Sequence, residues 1–323
     1  MLSESPKASV VVTTLNAGPG FGELISRLFS QKADFGYEVL VIDSGSTDAT
    51  IELARRHGAS VHRIGRDEFD HGATRNLGAS LSRGRYVAFV VQDALPVDEG
   101  WLAAMVENLD KDETVAGVYG RQIPRPESSP LTRALMDDWP TSGLERREQF
   151  AGGPGIYSEM SPATRRTLAT FDNVTSCVRR SVWERFPFER TSFGEDLRWG
   201  KTVVEAGFRL VYEPRSAVLH SHERGAIYDL RRHYADGLVI EELFGLVPTP
   251  NLGRLLLNVL LSSAHLSLSL SRNGKTAGVA PWSLLLAMRY ALFSQAGAYL
   301  AARRSRTGGR ISDRLDEFLL KGI

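Results

Sequence analysis

The chain has 323 residues, 42% of them apolar and 24% charged, which suits one large globular domain or a domain with an appendage. A formal net charge of +1 excludes bulk attraction to nucleic acid. The single cysteine, Cys177, excludes an intrachain disulfide and points to a reducing compartment.

No basic segment followed by an apolar one opens the sequence, so it predicts no signal peptide and a cytoplasmic protein. Residues 9–15 are a β-branched run ending at Asn16-Ala17-Gly18-Pro19-Gly20, a buried strand and a turn. Phe21, Leu24, Ile25, Leu28 and Phe29 have helical spacing and predict a helix over 21–31. A second strand over 37–43 ends at Asp43-Ser44-Gly45-Ser46. A helix over 47–57 follows, with Ser46 or Thr47 as its N-cap. A short strand at 60–64, a helix at 72–82, a buried strand at 86–91 and a helix at 101–109 continue the alternation. Such a pattern predicts an α/β, Rossmann-like fold, a mainly parallel sheet with helices on both faces. Ligands of these sheets bind beyond the carboxyl ends of the strands. The polar strand ends at Asn16, Asp43 and Gln92-Asp93 are therefore expected to line one crevice.

Beyond residue 117 the pattern changes. Residues 120–155, rich in Pro, Arg and Gly, predict an excursion over the surface. Strand character resumes over 171–179, and Phe193-Gly194-Glu195-Asp196 opens a helix to about Glu205. Residues 210–212 and 217–219 read as two short strands. From 226 onward the chain is mainly helical, over 226–246, 251–272 and 281–304, and the basic tail over 303–310 is expected to fray. The uncharged stretch over 255–271 holds Asn258, His265 and five serines, and so falls short of the ~20 apolar residues of a spanning helix. It and the apolar block over 282–293 are expected to pack on the rest of the protein, on a second subunit or on a membrane surface. Two domains are expected, 1–225 and 226–323.

Five groups of residues carry chemistry. Asp43 and Ser44, at a strand end, can hold a base or ribose or simply cap the loop. Asp93, at the tip of a buried strand, can hold a divalent cation or serve as a turn residue. Glu195 and Asp196, at a helix start, can cap the helix or supply a general base. Two adjacent acids on a helix point in different directions, so at most one of them acts. His220 and His222, two apart on a strand, share a face and suit a metal or phosphate. Arg75 and Asn76, in the first turns of a helix, can reach a diphosphate or make a solvated helix start.

In this order the pieces resemble the family-2 glycosyltransferases of GT-A fold. The matching segments are Val10-Val11-Val12-Thr13-Thr14-Leu15-Asn16, Val41-Ile42-Asp43-Ser44-Gly45-Ser46-Thr47-Asp48, Arg75-Asn76-Leu77-Gly78, the strand ending at Asp93, and Gly194-Glu195-Asp196. They span residues 8–225. Phe69-Asp70-His71-Gly72-Ala73-Thr74-Arg75-Asn76, Gln92-Asp93-Ala94-Leu95-Pro96 and His220-Ser221-His222 are similar, more narrowly, to the rhamnosyltransferase branch. The resemblance implies donor binding by Thr14, Asn16, Asp43, Ser44, Arg75, Asn76, Gln92 and Asp93. It implies Asp196 as catalytic base, and Asp93 with His220 at a Mg²⁺ or Mn²⁺ ion, with Glu195 and His222 as additional candidates. The first acid of the family's Asp-x-Asp falls at Val91, which cannot bind metal, so the cation is expected to arrive with the donor. The implied reaction is inverting transfer of L-rhamnose from dTDP-rhamnose to a glycan or lipid-linked acceptor in surface polysaccharide synthesis. A non-catalytic sugar-nucleotide-binding subunit and a sugar nucleotidyltransferase are the alternatives. The implied setting is cytoplasmic, peripheral at the inner face of the membrane, with a homo-oligomer as a further expectation.

Overall fold

The computed structural model describes residues 5–273, 281–306 and 313–321. They form two compact units. One holds the described residues up to Ile123 together with Pro140–His220, and the other holds Pro124–Trp139 and the described residues from Ser221 onward.

The first unit is built on a nine-stranded sheet. Its order is β3 (Ser60–Arg63), β2 (Tyr37–Asp43), β1 (Ala8–Thr14), β4 (Tyr86–Val91), β8 (Thr175–Arg179), β6 (Val115–Ile123), β9 (Arg209–Leu219) and β5 (Leu95–Pro96), with β7 (Arg147–Gln149) added against β9. The sheet is mixed rather than mainly parallel. β1 pairs in parallel with β2 and β4, β2 with β3, and β6 with β9. β8 runs antiparallel between β4 and β6, and β5 and β7 are antiparallel to β9. The sequence predicts the first four strands, β8 and β9 but not β6, which carries Gly117, Gly120 and Arg121 and resembles a loop. The two short strands expected over 210–219 are one, bent where the β6–β9 register shifts between Gly120 and Arg121.

Alternate residues of each strand supply opposite faces. Val10 and Val12 join Phe21, Leu24, Ile25 and Leu28 of α1 (Phe21–Phe29) and the apolar side of α4 (Trp101–Lys111). Val11, Leu40 and Ile42 face the other core, with Ala79 of α3 (His71–Leu81) and Trp199 and Val203 of α9 (Glu195–Glu205). Burial on both faces is why these strands read as continuous apolar runs. α2 (Thr50–Arg56) starts later than expected. Asp48, rather than Ser46 or Thr47, accepts from the Thr50 amide at 3.1 Å.

In the second unit α5 (Pro130–Asp137) lies with the C-terminal helices, so part of the expected excursion over 120–155 is helical core of that unit. The short helices α6 (Ile156–Glu159), α7 (Pro162–Leu168) and α8 (Arg180–Arg185) belong to the first unit. The long helices are α10 (Ala226–Phe244), α11 (Leu252–Asn273) and α12 (Pro281–Arg306), followed by α13 (Asp313–Leu320). α12 stays helical through Arg306, where fraying was expected, and the rest of that tail lies outside the described residues. Leu252–Ser271 has a mean hydropathy of 1.2 and is, by length and composition, long and apolar enough to cross a membrane. That corrects the expectation for this stretch, whose serines do not outweigh its leucines.

Candidate active site

Register, not loop chance, brings the strand ends together. Thr14 lies opposite Asp43, and Thr13 opposite Val91, so β2, β1 and β4 stop at one level. There the polar residues knit two loops to each other. The Thr14 hydroxyl donates to Asp43 Oδ1 at 3.1 Å, and the amides of Gly45 and Ser46 donate to Asp43 Oδ2 at 3.1 and 3.0 Å. Ser44 Oγ donates to the Thr14 carbonyl at 2.9 Å. Thr14, Asp43 and Ser44 are thus spent inside the protein and buried. They hold the two strand-end loops together. Asn16 is exposed, at φ 47°, a left-handed conformation that asparagine tolerates. Its Oδ1 accepts from the Thr47 amide at 2.8 Å.

Gln92 and Asn76 are engaged with the protein in the same way. Gln92 clasps the Leu15 backbone, accepting from its amide at 2.7 Å and donating to its carbonyl at 3.3 Å. Asn76 holds the loop before α9. Its Oδ1 accepts from Trp183 Nε1 and the Phe188 amide, and its Nδ2 donates to the Phe188 carbonyl.

Asp93, one residue past the Gln92 clasp, is partly exposed, and its Oδ1 lies 3.7 Å from His220 Nε2. His220 Nδ1 lies 3.0 Å from Gln122 Oε1, and Gln122 Nε2 donates to Asp172 Oδ2 at 2.6 Å. A carboxylate oxygen and an imidazole nitrogen converging at this separation suit a divalent cation of the Mg²⁺ or Mn²⁺ kind. Val91 packs against the core, so the position of the first acid supplies no ligand. His222 falls in the second unit, and is exposed.

The second cluster forms at the start of α9. Gly194 takes φ +76°, a left-handed turn open to glycine, and turns the chain into the helix. Gly72 lets α3 approach the preceding loop, since a Cβ there would sit 1.9 Å from the Glu189 carbonyl oxygen. Arg75 of α3 turns toward α9. It is buried, with Nη1 2.8 Å from Glu195 Oε1. Burial alone would raise the Glu195 carboxyl, but the charges of Arg75 and His71 and a hydrogen bond from Asn173 hold it below the usual range. Asp196 is the opposite case. Burial, then the neighbouring charges of Glu195 and Asp172, push it well above the usual carboxylate range. It keeps some exposure, and its Oδ1 accepts from the Leu197 amide at 2.7 Å. One acid of the pair is therefore locked as an anion and the other is poised to take or lose a proton.

Gln122, Asp172 and Asn173 were missed in the sequence. Asp172 and Asn173 stand just before the β8 strand, so an acid and an amide at a strand start were the available signal. Gln122 had none, because β6 itself went unread.

Losing one partner of a buried pair leaves an uncompensated charge. Arg75→Met should destabilise the protein by ~3–5 kcal/mol in urea unfolding. Adding Glu195→Gln should recover much of that loss. Equal midpoints for Arg75→Met and the wild type would refute the buried pairing.

Comparison with known proteins agrees with this geometry. A model described as "Glycosyl transferase family 2" matches residues 9–180. The O-antigen chain rhamnosyltransferase WbaN of Salmonella anatum is 29% identical over 238 residues, 72% of each chain. RfbN of Salmonella typhimurium, of the same description, is 27% identical over the same length, again 72% of each. Among solved structures, a mannosyltransferase from Pyrobaculum calidifontis in complex with GDP-Man and Mn²⁺ superposes with a TM-score of 0.57 at 20% identity, over 95% of this chain and 89% of that one. At that identity the likeness speaks for the GT-A fold alone. With strands, strand-end acids and the α9 acids placed as described, the chain belongs to glycosyl transferase family 2.

Proposed function

We propose that this glycosyltransferase moves a sugar from a nucleoside-diphosphate donor to an acceptor hydroxyl in one inverting displacement, with Asp196 as the base. The observation that carries this is the Glu195–Asp196 pair. Glu195 is consumed by Arg75, while Asp196 stands beside it, half-buried and raised. The acceptor oxygen bonds to the anomeric carbon as the bond to the diphosphate oxygen breaks, and the hydroxyl proton passes to an Asp196 oxygen. Asp93 and His220 would hold a divalent cation, which when bound neutralises charge on the leaving diphosphate. Arg75 keeps Glu195 ionised, and Glu195 in turn raises the proton affinity of Asp196. Gln92, clasped to Leu15, keeps the backbone beside Asp93 in place.

A raised base loses activity earlier on acidification than an ordinary carboxylate does. kcat/KM should fall as pH drops through a range above that of a normal Asp. Asp196→Asn should lower kcat ~10²–10⁴-fold, abolish this limb and leave donor binding intact. Stability has the opposite sign. A carboxyl whose folded pKa is raised stabilises least once pH exceeds that pKa, so Asp196→Asn should gain on the wild type as pH rises. Equal turnover by the variant would sink the assignment.

L-Rhamnose from dTDP-rhamnose is the proposed donor, and surface polysaccharide synthesis on a glycan or lipid-linked acceptor the proposed setting. Two relatives named as O-antigen chain rhamnosyltransferases support this reading. Calorimetry with dTDP-rhamnose and with uridine- and guanosine-diphosphate sugars, with and without Mn²⁺, tests it. Metal-dependent preference for the rhamnose donor is expected. Preference for another sugar keeps the transferase and discards rhamnose.

The second unit supports a peripheral place on an anionic lipid surface. α11 and α12 contain six arginines and no Asp or Glu. Leu256, Leu260, Leu261 and Leu268 of α11 and Trp282 and Leu285 of α12 are exposed, Leu260 at 69%. Two polar side chains of α11 are used internally, Asn258 bonding Gln295 and His265 bonding Asp138. Arg254, Arg303 and Arg306 are exposed. Two helices with exposed arginine and leucine and no acid of their own suit anionic headgroups over acyl chains. Two copies meeting through it would bring like charges together. The full chain should sediment with phosphatidylglycerol vesicles but not phosphatidylcholine vesicles, and Leu256→Glu/Leu260→Glu should release it. Protein left in the supernatant, or a dimer dissolved by the double variant, would overturn this placement.

A further inference from the structure

His220 has a polar neighbour at each ring nitrogen, and the hydrogen bond on the far side fixes what the near side offers. Nδ1 lies 3.0 Å from Gln122 Oε1, and Nε2 lies 3.7 Å from Asp93 Oδ1. Either end of the Gln122 amide could in principle face the ring. Its other contact decides which. Gln122 Nε2 is 2.6 Å from Asp172 Oδ2, and a carboxylate only accepts, so the NH₂ must face Asp172 and the oxygen must face His220. That oxygen also only accepts. In the neutral imidazole, the form that binds a cation, the ring hydrogen therefore sits on Nδ1, and Nε2 turns its lone pair toward Asp93. Asp172 is itself anchored at the entrance to β8, where its Oδ1 accepts from the Val174 amide at 2.8 Å. Gln122 is buried near the end of β6.

We infer that Gln122, aimed by Asp172, is a positioning residue that fixes the His220 ring so that Nε2 and the Asp93 carboxylate together form a cation seat. Outer partners of metal-bound histidines commonly act this way, and their loss costs ~10–100-fold in metal affinity. In that form the ring lone pair and the carboxylate are both electron donors aimed at one point, which suits a cation. The proposal rests on the reading that Asp93 and His220 hold the ion. It adds the two residues that act through His220, and the polarity of the amide between them.

The test uses the full chain with thymidine diphosphate present. Mn²⁺ affinity is measured by electron paramagnetic resonance, and the ring tautomer of His220 by its ¹⁵N shifts. Gln122→Leu should weaken Mn²⁺ ~10–100-fold. Asp172→Asn should do the same without touching Gln122 or His220. Its new amide offers NH₂ to Gln122, turns the glutamine amide over and moves the ring hydrogen to Nε2. The double variant Gln122→Glu/Asp172→Asn restores the order of donors and acceptors, because the carboxylate at 122 accepts from both the ring and the new amide. It should recover the Nδ1–H tautomer and most of the affinity. A purely structural role predicts no such recovery, so a double variant no better than the singles would overturn the proposal. So would wild-type affinity and an unchanged tautomer in Asp172→Asn. Should Gln122→Leu fail to fold, Asp172→Asn and the double variant still decide. A wild-type chain that takes up no Mn²⁺ would instead overturn the cation reading underneath.

Discussion

Arg75 and Glu195 face each other across 2.8 Å, both almost wholly withdrawn from water. Taking two charges out of solvent costs several kcal/mol each, and such a pair persists only where good geometry and further hydrogen bonds offset that cost. Here Asn173 supplies a second donor to Glu195, and the Arg75 guanidinium also donates to the His71 carbonyl. Three elements meet at this point: α3 through Arg75, the entrance to β8 through Asn173, and the first turn of α9 through Glu195. The position of Asp196 follows from theirs. It is the next residue on a helix whose start is pinned by its neighbour.

The same pair explains why the neighbouring acid is the one proposed as base. An anion that cannot leave raises the proton affinity of any carboxyl beside it. Asp172 adds a second negative charge to that field while also orienting Gln122. Asp172 therefore stands between the two halves of the site. On one side it bears on the base, and on the other it aims the amide that sets the histidine ring. Neither effect requires Asp172 to touch a substrate.

How much of this was legible in the sequence varied with the physics of each element. Strands β1, β2 and β4 were readable because burial on both faces forces unbroken apolar runs. The crevice at their ends followed from parallel topology. β6 was hidden, because Gly120 approaches the Ser216 carbonyl so closely that a Cβ would lie 2.0 Å from it, and a glycine required by packing looks like a turn in sequence. The chemistry was legible by residue type but not by which neighbour each side chain engages. Thr14, Asp43, Ser44, Asn76 and Gln92 are polar residues at the right strand or helix ends, yet each turns inward to hold a loop. Arg75 is cationic at the right helix start, yet its partner is Glu195. Sequence gives the valence of a side chain but not which neighbour takes it up, and buried polar groups are seldom left unsatisfied.

That distinction separates the residues that build the site from those that act in it. Thr14, Asp43, Ser44 and Arg75 are buried, and Asn76 and Gln92, though partly exposed, are likewise engaged with the protein. Asn16, Asp93 and Asp196 retain exposure and border the same network. A site that must exchange a donor, a cation and an acceptor on every turnover needs a few such groups held by many that never move. Asp93 is held through the Gln92 clasp, and Asp196 through the Glu195–Arg75 pair. Exposure set beside a satisfied, buried neighbour marks the acting residues here more sharply than residue type does.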